Sequence, residues 1–143
     1  MNKLALAIKI AAEAFVNKTD KGGKPYILHC LRVMQSMPAE DEDLQVIAVL
    51  HDIIEDTDTS WKTLLDYEFS ERVLVAINTL THRKHLPYMA YIENIATNED
   101  AIIVKMADLV DNSNLLRLKE ITQKDMDRVD KYEKAYRFLS KFE

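Results

Sequence analysis

Turn formers are scarce in this chain: 143 residues hold only 2 glycines and 3 prolines. An all-β fold needs a turn signal about every 8–12 residues, so the shortage points away from sandwiches and barrels. It favours helices joined by short loops. The apolar pattern agrees: in MNKLALAIKIAAEAF, Leu4, Ile8, Ala11, Ala12 and Phe15 recur at helical spacing. The length predicts one domain, residues 1–143, able to bury about two-thirds of its unfolded surface without a disulfide staple. An apolar fraction of 48% with 30% charged residues excludes a disordered or collagen-like chain.

The expected fold class is all-α, a single-domain helical bundle. Helices are expected over residues 2–17, from Pro25 to about Met37, and from the acidic start Glu40–Asp43 through LQVIAVLHDIIED to Asp56. Shorter ones follow at Trp61–Tyr67 and after Ser70, then from Pro87 to about Ala96. Asn98 caps AIIVKMADLVDN, and Thr122 caps a last helix with Val129, Tyr132, Tyr136 and Leu139 as its buried stripe. The polar loop 17–24 holds both glycines, Gly22 and Gly23.

A net charge of −5 argues against a partner with a phosphate backbone, so no nucleic acid is expected. No run approaches the roughly 18 apolar residues of a membrane span. Lys9 and Glu13 interrupt the first apolar stretch, which therefore reads as an amphipathic helix and not a signal peptide. The single Cys30 excludes an internal disulfide and fits a reducing, cytoplasmic setting. Next to His29 in a helix, it reads as packing and not as a nucleophile.

The chemical anomaly is His51-Asp52-Ile53-Ile54-Glu55-Asp56, at the end of the most apolar helix. Burying an unpaired carboxylate costs several kcal/mol or more, and three of them beside one histidine repel unless a cation holds them. His51 and Glu55 share one helical face, as do Asp52 and Asp56. A second histidine and a further carboxylate would have to come from elsewhere, and His29 and Asp108 are available in other apolar helices. Taken singly, each has an ordinary reading. His29 could be a satisfied core histidine, Asp108 a helix-end cap or a partner of Lys105, and the acidic run a solvated helix terminus. Their joint occurrence is what packing needs alone do not produce. His82 and His85, in a polar loop with Arg83 and Lys84, read as solvated by default, with contact to a substrate phosphate as the other reading.

His29, His51-Asp52 and Asp108 resemble the H…HD…D signature of HD-domain phosphohydrolases. More narrowly, DKGGKPYILH (20–29), HDIIEDTDT (51–59), LTHRKHLPYMAYIENI (80–95) and KMADLVDN (105–112) resemble the hydrolase domain of RelA/SpoT-type alarmone enzymes and the small alarmone hydrolases. The resemblance covers about residues 5–140. It implies a helical bundle with a central metal pocket, and one Mn²⁺ held by His29, His51, Asp52 and Asp108. Fe²⁺ or Zn²⁺ would also suit those donors. It assigns Glu55 and Asp56 to activating and positioning the attacking water, and Asn112, Tyr26 and Lys21 to the substrate nucleotide. Lys21 is the first choice to offset phosphate charge, ahead of Arg83 and Lys84.

The chain departs from that family at two positions. Asp20 stands where an arginine often helps hold the base, and Leu109 follows the last aspartate where a cation is common. Both leave the metal chemistry intact and leave the base open. The expected activity is removal of the 3′-pyrophosphate from a (p)ppGpp-like alarmone, and no alarmone synthesis is expected. The rivals are an HD phosphohydrolase acting on another nucleotide or phosphomonoester, and a non-catalytic, nucleotide-sensing metal-binding module.

Overall fold

In the computed structural model, which describes residues 2–143, nine α-helices and one 3₁₀ turn carry the described part of the chain. They are α1 (Lys3–Ala14), α2 (Ile27–Gln35), α3 (Glu42–Leu50), α4 (Ile53–Asp56), α5 (Trp61–Asp66), α6 (Glu71–Leu80), α7 (Tyr88–Ile95), α8 (Glu99–Asn112) and α9 (Gln123–Ser140), with the 3₁₀ turn at Leu115–Arg117. Among the described residues there is no strand, only an isolated antiparallel bridge between Thr19 and Pro25. Residue 1 of the expected 1–143 domain lies outside the described residues. Polar side chains start the helices: Ser60, Ser70 and Asn98 accept from the amides of Thr63, Val73 and Ala101. Thr122 and Asp125 form a reciprocal capping box at α9.

The helix expected through Asp56 breaks at His51 and Asp52. In a continuing helix the Ala48 carbonyl would accept the Asp52 amide. Here the His51 Nδ1 lies 2.6 Å from that carbonyl, and Asp52 sits at φ −99°, ψ 0° before the chain re-enters a helix. The Ala48 carbonyl meets the His51 ring and, at 3.5 Å, the His51 amide, and at this break the His51-Asp52 pair joins the buried cluster. The stripe on α9 also differs from expectation. Ala135 and Leu139 are its buried residues, Val129 and Tyr132 are half-buried, and Tyr136 is exposed.

α3 is the centre of the molecule. Val46, Ile47, Ala48, Val49 and Leu50 are fully buried, and α1, α2, α6 and α8 all pack against it. A helix apolar on every side is a core helix. Its carboxy-terminal end therefore opens between α2 and α8, where His29 and Asp108 lie.

The loop before α2 is tightly built. Asp20 Oδ1 accepts from the amides of Gly22 and Lys24, both at 2.9 Å. A Cβ at Gly22 would sit 2.1 Å from the Arg117 carbonyl oxygen, so only glycine lets the loop dock on the 3₁₀ turn.

Candidate active site

His29 from α2, His51 and Asp52 from the α3–α4 break, and Asp108 from α8 converge on one point. One donor atom from each lies within 4.8 Å of all the others. The His51 Nε2 is 3.1 Å from Asp52 Oδ2 and 3.2 Å from Asp108 Oδ1. The His29 Nε2 is 3.0 Å from Asp108 Oδ1 and 3.8 Å from Asp52 Oδ2. That nitrogen is buried without hydrogen-bond geometry to any partner. An orphaned ring nitrogen facing two carboxylates is costly unless a cation joins them. Two imidazoles and two carboxylates make a suitable donor set for a first-row divalent ion. The residues present therefore fit a metal.

The surrounding groups set the charge. Burial opposes the ionised form of Asp108, but Lys105 and His51 overcome it and hold the carboxyl well below its usual range. Lys105 Nζ is 2.9 Å from Asp108 Oδ2, and Asn112 Nδ2 donates to Asp108 Oδ1 at 2.8 Å. Burial would likewise lower His51, but Asp52 and Asp108 raise it well above an ordinary histidine. The Tyr26 hydroxyl donates to Asp52 Oδ2 at 2.5 Å. Burial, then the Asp52 charge, pushes that phenol upward.

Glu55 and Asp56 stand one turn further along α4, at the mouth. Glu55 accepts from the His82 amide at 2.7 Å, and Asp56 lies 3.5 Å from Lys18. Burial and the neighbouring Asp52 raise the pKa of both. Neither belongs to the four-residue cluster.

A cavity of about 520 Å³ opens over the cluster, a size common for small-molecule sites. Lys18, Lys21, Lys105, Arg117, Arg128 and Lys131 line it, in a chain of net charge −5. Four of these already face carboxylates: Lys18 on Asp56, Lys105 on Asp108, Arg117 on Asp20 and Arg128 on Asp125. Among the described residues, Lys21 and Lys131 have no such partner. Partial burial, then Arg128, Lys124 and Lys131, lower the Lys21 pKa against Asp125, which raises it; these surroundings favour an anion there.

All nine residues expected at the site line this cavity or belong to the cluster beneath it. Arg83 and Lys84 are exposed and do not line it. His82 is not the solvated residue expected. It is half-buried, stacks on Tyr91 with ring centroids 4.4 Å apart, and bonds the Leu86 carbonyl. Cys30 is buried, which pushes its thiol up to about 12 and suits a packing role. Leu109 points into the core. Asp20 presents no bare anion to the cavity, since its outer oxygen meets Arg117 at 2.9 Å. Sequence reasoning missed the wall formed by Arg117, Arg128, Lys131 and Tyr132, and it missed Asp111 behind His29. The i, i+3 spacing of Asp108 and Asp111 was the one available signal for the latter.

A protein of Aquifex aeolicus named guanosine-3′,5′-bis(diphosphate) 3′-pyrophosphohydrolase is 32% identical over 120 residues, covering 77% of this chain and 17% of that protein. The Drosophila melanogaster protein of that name, MESH1, is 30% identical over 124 residues, covering 80% of this chain and 69% of its own length. A solved structure described as a metazoan ortholog of SpoT that hydrolyses ppGpp superposes with a TM-score of 0.80 at 26% identity, over 97% of this chain and 85% of that one. The chain therefore spans under a fifth of the Aquifex relative and about two-thirds of the Drosophila one. No family model matches the sequence. Fold and site together define an HD-type helical domain built around a buried histidine–aspartate cluster. The chain belongs to the guanosine-3′,5′-bis(diphosphate) 3′-pyrophosphohydrolase family.

Proposed function

We propose that this chain is a divalent-cation-dependent phosphohydrolase that removes pyrophosphate from the 3′ position of guanosine-3′,5′-bis(diphosphate) or a close analogue. The observation that carries the reading is the buried cluster with its orphaned His29 nitrogen, lying beneath a cation-lined cavity. The relatives' named activity supplies the substrate class.

His29, His51, Asp52 and Asp108 would hold the ion, and Mn²⁺ is our choice over Fe²⁺ or Zn²⁺. When bound, such an ion polarises a phosphoryl oxygen and makes water more acidic. Glu55, kept in place by the His82 amide, accepts the proton of the attacking water, and Asp56 orients that water. In the metal-free chain, burial and the Asp52 and Asp56 charges raise the Glu55 pKa against the His82 amide. Water oxygen bonds to phosphorus, the bond from phosphorus to the ribose 3′ oxygen breaks, that oxygen takes a proton from solvent, and Glu55 returns to solvent the proton it accepted. Lys21 and Lys131 offset phosphate charge. Tyr26 and Asn112, each already tied to a carboxylate of the cluster, line the nucleotide's path. The buried, free Cys30 supports a reducing, cytoplasmic setting.

The test is pyrophosphate release with Mn²⁺ on ppGpp, pppGpp, ppApp and ordinary nucleotides, with His51→Ala as control. Pyrophosphate from a 3′-pyrophosphorylated nucleotide, lost in the variant, is the expected result and identifies the base. Orthophosphate from another nucleotide alone would overturn the alarmone assignment. Silence on every substrate with Mn²⁺ bound would favour a sensing module.

A further inference from the structure

The two histidines of the cluster are anchored in the same manner but by different groups. Each has Nδ1 against an acceptor and Nε2 facing the carboxylates. His51 uses the Ala48 carbonyl, 2.6 Å away. His29 uses a side chain, Asp111 on α8, whose Oδ2 lies 2.5 Å from Nδ1. Asp111 has no part in the four-residue cluster and does not line the cavity above it.

We propose that Asp111 is a positioning residue for the metal centre: it accepts a hydrogen bond from the Nδ1–H of His29, fixes the ring in that tautomer and leaves the Nε2 lone pair directed at the point shared with His51, Asp52 and Asp108. The inference rests on the metal-binding reading of that cluster. A neutral imidazole carries one N–H and one lone pair, and which nitrogen keeps the proton is set by what the other faces. Asp111 settles the choice, because a carboxylate only accepts. Its geometry is over-determined. Arg32 Nε lies 2.8 Å from Oδ1, and Arg117 Nη1 lies 2.9 Å from Oδ2. Arg117 also bonds the Asp111 carbonyl and reaches Asp20 in the loop before α2. The carboxylate therefore cannot swing away from His29 without breaking contacts on both sides. Outer partners that orient a ligand histidine in this way are typically worth about 10–100-fold in metal affinity.

The experiment is Mn²⁺ binding by calorimetry on the full, metal-stripped chain, together with ¹⁵N NMR of the His29 ring. Wild type is expected to bind one ion and to show a protonated Nδ1 before metal is added. Asp111→Ala is expected to lose about 10–100-fold in affinity and to lose the fixed tautomer. Asp111→Asn keeps an acceptor oxygen and recovers part of the affinity, and it serves if the alanine variant fails to fold. Arg32→Ala removes an ion pair from the same carboxylate, leaves the His29 contact, and is expected to bind as wild type. A folded Asp111→Ala chain that binds Mn²⁺ as wild type does, or an Arg32→Ala chain that loses as much affinity as Asp111→Ala, would overturn the assignment. Absence of Mn²⁺ binding by wild type would instead remove the metal reading, and this inference with it.

Discussion

Glu55 carries a charge that folding alone disfavours. Burial, with Asp52 and Asp56 nearby, raises its pKa, although the His82 amide pulls the other way. A carboxyl whose folded pKa lies above its unfolded one destabilises the native state at neutral pH, and the cost disappears as pH falls below the unfolded value. Glu55→Gln keeps an oxygen for the His82 amide and removes the charge. The metal-free variant should therefore melt at a higher temperature than wild type at neutral pH, and the two should converge in acid. Its turnover should drop by about 10²–10⁴-fold, the usual worth of a general base, with Mn²⁺ affinity retained. Thermal melts and steady-state kinetics on one preparation check both halves. Such opposition between stability and activity is common at working sites. At this scale the four cluster residues were legible because ionisable groups stood in apolar helices, where packing has no use for them. Asp111 and Arg117 were not legible, because in sequence they look like the solvated end of a helix. Only the closure of α2 on α8 brings Asp111 to His29.

The elements were read well where caps and apolar spacing agreed. Ser70, Asn98 and Thr122 start their helices as expected. The break between α3 and α4 was hidden, because it is marked by a side chain meeting a backbone carbonyl, and no spacing records that. Two element-level outcomes follow. Gly22→Ala drives a Cβ into the Arg117 carbonyl and must shift the loop that carries Lys21. Overpacking of this kind costs about 1–3 kcal/mol. Chemical denaturation should register that loss, and KM for the nucleotide should rise more than kcat falls. α9 supplies Arg128, Lys131 and Tyr132 to the cavity, and its first turn is held by Asp125. The Thr122 amide and hydroxyl, then Arg128, lower the Asp125 carboxyl to about 2. A depressed acid contributes stability that is fully present above its unfolded value of 3.8 and is lost as pH falls through about 2. Helical circular dichroism during an acid titration should therefore separate wild type from Asp125→Ala above pH 3.8, and the separation should vanish towards pH 2.

The whole molecule is a bundle wrapped on one buried helix, whose carboxy-terminal end delivers His51 and Asp52 to a cavity walled by α8 and α9. The all-α class followed from the lack of turn formers and from apolar periodicity, and so did every helix but one: the sequence read α3 and α4 as a single helix. The wall of the cavity did not, because α9 reads in sequence as a charged surface helix and its contribution depends on how it packs against α8. If the cluster holds an ion in the folded state only, removing that ion must loosen the entire bundle. Mn²⁺ at 100 times its Kd should stabilise the native state by about 2.7 kcal/mol, a chelator should reverse the effect, and His51→Ala should show neither response in a thermal melt. The most direct measurement is a titration of the metal-free chain with Mn²⁺ in which bound ion and pyrophosphate released from ppGpp are read on the same samples. Our account predicts one ion per chain, with release rising in step with occupancy. Cleavage in the absence of any ion, or a fully loaded cluster that releases nothing from ppGpp, would contradict it.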